Sequence, residues 1–273
     1  MKFAKWTLIF PLLICNQLVR SPFHLWNWGS EQLLAAEDFK SVVYESNKAT
    51  LEILERKTTD DSTQSLLVVI PDMRSPVGFW KPFLEEVAFD GTIRFVKWFG
   101  NGDSHWAEST IVFADLDNIL KMTLSDLDED VSVHLVGQGI GAQLAIRWVE
   151  SNPSFKAKVY AIHSEGFNIP RLMPQSISEL KEMTQADLKG EWLPKFVFHD
   201  WLTWFNNPFV HAIEKETHLV PKFKNAQIES LADKIVWVGF APEGNDVGLE
   251  NCSFEMQWTC KTDLLDLLGT SLK

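Results

Sequence analysis

The sequence has few positive charges relative to its negative charges. Its 25 Lys and Arg residues stand against 37 Asp and Glu residues, which gives a formal net charge of −12 at pH 7. Nucleic acids and anionic lipid surfaces are bound through clustered Lys and Arg, which release counterions from the phosphates. We therefore expect no nucleic-acid partner, and the excess of carboxylates indicates a solvated acidic surface.

Metal-binding motifs are also missing. The chain has no H-E-x-x-H and no Cys-x-x-Cys sequence, and His199, Asp200 and His211 lack the spacing of a known metal site. It also has no internal repeat and no low-complexity tract. The sequence therefore predicts neither a bound metal nor a cofactor.

Cysteine is scarce, with three residues in 273. Cys252 and Cys260 are close in sequence and could form a disulfide in an oxidising compartment. Two buried free thiols are the equally ordinary alternative. Both interpretations stay open at this point.

No apolar run is long enough to span a bilayer comfortably. The longest near the N-terminus, Trp6 to Cys15, follows Lys2 and Lys5, the order of charged and apolar regions in a secretory signal. We therefore assign residues 1–20 to a signal peptide or N-terminal anchor and expect export, to the periplasm or the medium. The alternatives are an uncleaved anchor, which would be the only contact with a membrane, and a buried N-terminal helix.

The sequence pattern of the first third of the chain predicts a helix, a hairpin and a buried strand. A polar helical stretch near Glu31 to Phe39 precedes two alternating segments, SVVYES and TLEILERK, which are typical of an edge hairpin within residues 21–65. LLVVIP then forms a continuous apolar run, the pattern of a strand that is buried on both faces of a parallel sheet.

Strands and helices alternate from Leu66 to Gly166. Apolar strands such as TIRFVKW, VSVHLVG and KVYAIHS are separated by amphipathic segments that include FWKPFLEEVA and STIVFADLDNILKMTL. This alternation predicts an α/β fold with a mostly parallel central sheet, in which residues 66–166 form the first part of the core and 228–273 the last.

Between these parts, residues 167–227 are rich in large aromatic side chains and have a helical pattern. The segment could cover an apolar pocket as a lid, or it could be a subdomain that buries its own core.

A strand, a glycine-rich turn and a helix come together in VHLVGQGIGAQLAIRW, residues 133–148. This stretch resembles the nucleophile elbow G-x-S-x-G of the α/β-hydrolase superfamily, in which a strained turn lifts a serine above the sheet. Gly139 stands in the place of that serine.

Four further segments resemble the superfamily in its own order. IPDMRSPVGFW is similar to the loop that carries oxyanion-hole backbone, FGNGDS to a G-x-G-x-S loop, and VWVGFAPEGND to the strand and loop of the catalytic acid, while the aromatic insertion takes the place of the cap. The resemblance implies an α/β-hydrolase-like sheet flanked by helices, with a helical aromatic-rich cap. The chain also resembles a group of exported bacterial hydrolase-like proteins.

The triad of that superfamily is incomplete at the expected positions. Gly139 offers no nucleophile, and Gln138 carries an amide, which is not one. The base should follow the last strand, but the final histidine of the chain is His218, well before that strand. Asp246 lies where the acid would be, although an Asp in such a loop is more often a turn former.

Backbone donors at the elbow could still bind a ligand. The N–H of Ile140 and an N–H near Asp72 or Met73 could hold a carbonyl or carboxylate, although the Asp72 side chain would oppose an anion. His163 ends an apolar strand at the edge where ligands bind in open α/β sheets. The pocket candidates are Asp72, Met73, Gln138, Gly139, Ile140, His163 and Asp246.

These observations predict a non-catalytic protein of the cell envelope that binds a small apolar or acyl ligand, or a protein partner through the cap. The alternative is an esterase, thioesterase or peptidase whose nucleophile comes from an unexpected position, Ser104, Ser164 or Cys252. Asp103, Ser104 and His105 form a compact group in sequence, but adjacent side chains usually point in different directions.

Overall fold

The fold was analysed in a computed structural model that describes residues 22–57, 65–72, 75, 77–98, 102–107, 113–162, 230–238 and 261–271. The helices in this part of the chain are α1 (Pro22–Ala36), α2 (Val77–Glu86), α3 (Phe113–Thr123), α4 (Ile140–Ser151) and α5 (Lys261–Ser271). The strands are β1 (Lys40–Glu45), β2 (Ala49–Arg56), β3 (Ser65–Ile70), β4 (Thr92–Val96), β5 (His105–Trp106), β6 (Ser132–Gln138), β7 (Ala157–Ile162) and β8 (Ile235–Val238).

The strands form one sheet in the order β1-β2-β4-β3-β6-β7-β8, with β5 paired to β2. Strand β3 is parallel to both β4 and β6, and β7 is parallel to both β6 and β8. Antiparallel pairing is confined to β2, which contacts β1, β4 and β5. The predicted mostly parallel sheet flanked by helices is therefore confirmed.

The sheet is covered on both faces. In β3, Leu66, Val68 and Ile70 pack with residues of α3 and α4. Leu67 and Val69 point to the opposite face and pack with residues of α1, α2 and α5. Alternating side chains of one strand thus enter two separate apolar clusters, as expected for a strand that is buried between helical layers.

Helix α1 differs from its predicted bounds. It begins at Pro22, where a proline is well accommodated because the first helical N–H has no intrahelical partner. It ends at Ala36, since Asp38 adopts a left-handed backbone with φ 65° and the Phe39 N–H turns back to the Leu34 carbonyl at 3.1 Å. The prediction near Glu31 to Phe39 therefore found only the second half of this helix.

Several predicted regions lie outside the described residues, including residues 1–20 and the aromatic segment 167–227. In the part that the structure describes, no helix combines the length and the apolar character needed to cross a membrane.

Candidate functional site at the β6–α4 turn

The turn between β6 and α4 has the geometry of a sharp strand-to-helix elbow. Gly139 joins the two elements with φ 54° and ψ −117°, a conformation that L side chains rarely adopt. Its N–H donates to the Ile162 carbonyl of β7 at 2.9 Å, and its carbonyl accepts from the Gln143 N–H at 3.4 Å. The elbow is therefore held by both the sheet and the helix that it connects.

Two neighbouring glycines allow α4 to lie directly on the sheet. A Cβ atom on Gly141 would collide with the backbone oxygens of Ile70 and Pro71, at the end of β3. A Cβ atom on Gly137 would collide with the backbone of Ala142. Close backbone contact thus explains glycine at both positions, and it brings the helix N-terminus against the loop that follows β3.

That loop places the Asp72 carboxylate at the elbow. Asp72 is 2 % exposed, and its Oδ2 lies 3.5 Å from the Ile140 N–H, which donates to it. A Cβ atom built on Gly139 would overlap the same Oδ2, well inside 3.0 Å. The carboxylate therefore takes up the space in which the side chain of residue 139 would begin.

Gln138 is fully buried and points to the backbone of the same loop. Its Oε1 accepts the Asp72 N–H at 3.4 Å. The Asp72 carbonyl accepts the Ser75 N–H at 2.9 Å, and the Trp98 Nε1 donates to the Pro71 carbonyl at 2.8 Å. Gln138 thus helps to hold the backbone of Asp72 in place. It has no reactive role in this geometry.

The structure brings together Asp72, Gln138, Gly139 and Ile140 out of the predicted pocket residues. Met73, His163 and Asp246 lie outside the described residues, and so do Ser164, His199, Asp200, His211, Cys252 and Cys260. In the described part of the chain, no three His, Cys, Asp or Glu side chains are grouped so that they could hold a metal ion.

Ser104 has a structural environment. Its buried hydroxyl donates to the Lys97 carbonyl at 2.8 Å and accepts the Glu52 N–H at 2.8 Å. The neighbouring His105 is exposed, with Nε2 3.4 Å from Thr50 Oγ1 and Nδ1 3.3 Å from the Asp103 carbonyl. These contacts fix the loop to β2 and β4, so nothing in the described geometry activates Ser104 as a nucleophile.

A charge cluster at the end of β4 was missed by sequence reasoning. Lys97 Nζ lies 2.9 Å from Glu52 Oε2 and 3.1 Å from Glu31 Oε1, which ties α1 to β2 and to the end of β4. The signal for it was a lysine, Lys97, beside the apolar residues of the TIRFVKW segment. A small cavity of about 10 Å³ lies next to the cluster, lined by Glu31, Ser75, Lys97 and Trp98 among others, and its size suits about one water molecule.

The two carboxylates of this cluster have pKa values shifted in opposite directions. Burial would raise the pKa of Glu52, but hydrogen bonds from Lys97, Ser41 and the Asp103 N–H together hold it below its usual value. At Glu31, burial raises the pKa more than the Lys97 ammonium lowers it. The fold therefore favours a charged Glu52 and disfavours a charged Glu31.

His134 lies in β6 away from the elbow. Its pKa is lowered by burial and by the Lys158 ammonium, and its ring stacks on Tyr160, with Nδ1 3.4 Å from the Tyr160 hydroxyl oxygen. His134 is therefore a half-buried histidine with a hydrogen-bond partner inside the sheet.

No protein-family model matches the chain, and no curated protein matches its sequence. Solved structures do resemble it. The naproxen esterase of Bacillus subtilis superposes with a TM-score of 0.67 at 12 % identity, covering 90 % of this chain and 97 % of that one. A putative hydrolase from the same organism gives 0.67 at 12 %, covering 93 % and 100 %.

A third structure, a putative epoxide hydrolase from Pseudomonas aeruginosa, gives a TM-score of 0.61 at 14 % identity and covers 86 % of this chain and 95 % of that one. Together with the sheet order and the elbow between β6 and α4, these similarities establish that the chain has the α/β-hydrolase fold. Because one fold supports many functions, the fold alone assigns no activity.

Proposed function

We propose that this protein is a non-catalytic member of the α/β-hydrolase fold that binds a ligand or partner in the cell envelope. The observation that carries the proposal is the Asp72 carboxylate beside Gly139. An acyl-transfer site needs a nucleophile at the elbow and a free N–H for the oxyanion. Here the residue at the elbow has no side chain, and the Ile140 N–H points at a carboxylate.

The C-terminal part of the sequence also supports the proposed non-catalytic function. No histidine follows His218, so the position after the last strand lacks the base that the fold normally supplies. The proposed ligand is a small apolar or acyl molecule, or a protein that contacts the cap. Export is part of the proposal because Lys2, Lys5 and the apolar run behind them have the pattern of a secretory signal.

The experiment is hydrolysis of a panel of p-nitrophenyl esters and thioesters by wild type, Gly139→Ser and Ser104→Ala. We expect wild type to match the buffer rate. Gly139→Ser alone is also expected to be inactive, because its Cβ would overlap Asp72 and the sequence has no histidine after KIVWVGF to act as the base.

Wild-type turnover that disappears in Ser104→Ala would overturn the proposal and move the active site to that loop. Hydrolysis by both wild type and Ser104→Ala would also overturn the proposal. Ser164 and Cys252 would then be the next residues to replace.

A further inference from the structure

The first turn of α4 has an N–H that its own cap residue cannot satisfy. The first N–H groups of a helix have no intrahelical acceptor, and a side chain at the N-cap usually accepts one of them. The N-cap of α4 is Gly139, which makes no side-chain hydrogen bond. The Ile140 N–H is instead satisfied by a side chain from elsewhere in the fold.

Asp72 is the group that faces it. Oδ2 accepts from Ile140 at 3.5 Å, and the carboxylate is buried at the positive end of the helix dipole. The contact is long for a hydrogen bond, so its stabilisation comes largely from charge and dipole. A negative group in this place occupies the position that an oxyanion or carbonyl oxygen would take in an acyl-transfer site.

Two glycines allow the Asp72 carboxylate to lie at the N-terminus of α4. Gly141 lets α4 approach the Ile70 and Pro71 oxygens, which brings Asp72 within reach of the helix. Gly139 leaves the space that the carboxylate fills. A side chain at 139 would thus displace the carboxylate of residue 72 from its present position.

We infer that Asp72 determines the ligand specificity of the elbow, because its carboxylate is a built-in substitute for an anionic ligand. Carbonyl, carboxylate and phosphate groups are excluded from the α4 N-terminus, because the Ile140 N–H already donates to Asp72. The inference rests on the proposed non-catalytic function, since hydrolysis through this elbow would require the same N–H.

The test is chemical rescue with formate, a free carboxylate. Thermal unfolding of the full chain is followed in sodium formate and in sodium chloride at equal ionic strength, for wild type, Asp72→Ala and Asp117→Ala. The control residue, Asp117, pairs with Arg147 on a partly exposed surface and caps no helix.

We expect Asp72→Ala to unfold at a lower temperature, and saturating formate to raise its Tm by about 2–4 °C over chloride. Wild type and Asp117→Ala should show no difference between the two salts. An equal response of all three proteins, or no formate effect on Asp72→Ala, would overturn the inference.

A second measurement covers the case in which Asp72→Ala does not fold. The Ile140 amide resonance is recorded in ¹⁵N-labelled wild type and Asp72→Asn, which keeps the side-chain volume, during a formate titration. We expect no saturable shift in either protein, and a saturable shift in wild type would show that the N–H is open to anions. Ester turnover by wild type would instead overturn the proposed function, whatever formate does.

Discussion

At the level of single residues, the elbow depends on two properties of glycine at position 139, its backbone freedom and its lack of a Cβ atom. The turn needs φ 54°, and the space beside it holds the Asp72 carboxylate. The sequence predicted the turn, because glycines recur at 137, 139 and 141 between a strand and a helix. The resemblance also placed Asp72 near the elbow, but it could not predict that the carboxylate accepts the Ile140 N–H and fills the space beside Gly139, since the direction of a loop side chain depends on contacts with distant residues such as Gln138.

Gly139→Ala should therefore be strongly destabilising. The alanine would combine a strained backbone with an overlap against Asp72, and we expect the free energy of unfolding to fall by about 2–4 kcal/mol. Gly29→Ala is the matched control, because a Cβ at Gly29 in α1 meets no atom within 4 Å and alanine suits a helix interior better by up to about 1 kcal/mol. Urea unfolding of both variants measures the difference, and equal stability of the two would contradict this account of the elbow.

At the level of elements, the antiparallel junction of β2 and β4 carries charges inside the sheet. Arg94 of β4 lies 2.8 Å from Glu55, its partner in register on β2, and makes a two-point contact with Asp126. Lys97 follows at the end of the same strand. The sequence predicted the strand from its apolar residues, but the acidic partners come from separate segments, so their pairing could not be derived from local pattern.

The charge cluster of Lys97 gives a pH-dependent prediction. Because the pKa of Glu52 is lowered in the fold, its charge stabilises the protein above the ordinary value of 4.5, and this contribution is lost as the pH falls through the folded pKa. Glu31 has a raised pKa, so its charge gives no such stabilisation at neutral pH.

We therefore expect Glu52→Gln to lower the free energy of unfolding at pH 7 by about 1.5–3 kcal/mol. That loss should shrink as the pH falls below 4.5. Glu31→Gln, the matched comparison, should not lower the free energy of unfolding at pH 7, because the raised pKa of Glu31 makes its charge unfavourable in the fold. Urea unfolding of wild type and both variants across this range is the measurement, and an equal loss in the two variants would show that the opposite pKa shifts are wrong.

At the level of the whole molecule, the sheet order brings the ends of β3, β6 and β7 to one edge. Ile70 is in register with Gly137, and Gln138 with Ile162, so the carboxyl ends of these three strands meet at the elbow. The alternation of strands and helices was enough to predict the mostly parallel sheet. The short strand β5 was missed, because two residues in a loop carry no pattern of their own.

The proposed non-catalytic function predicts that the native protein carries no activated serine. The most direct measurement is labelling of the native full-length protein with a fluorophosphonate, followed by intact mass determination, because the reagent marks an activated serine without requiring knowledge of the substrate. A known serine esterase, labelled to completion in parallel, is the control. We predict no mass increase, because Gly139 has no side chain and the Ile140 N–H points at Asp72. One equivalent of label on any serine would contradict the proposed non-catalytic function. Identifying the labelled serine by peptide mass mapping would then locate the active site.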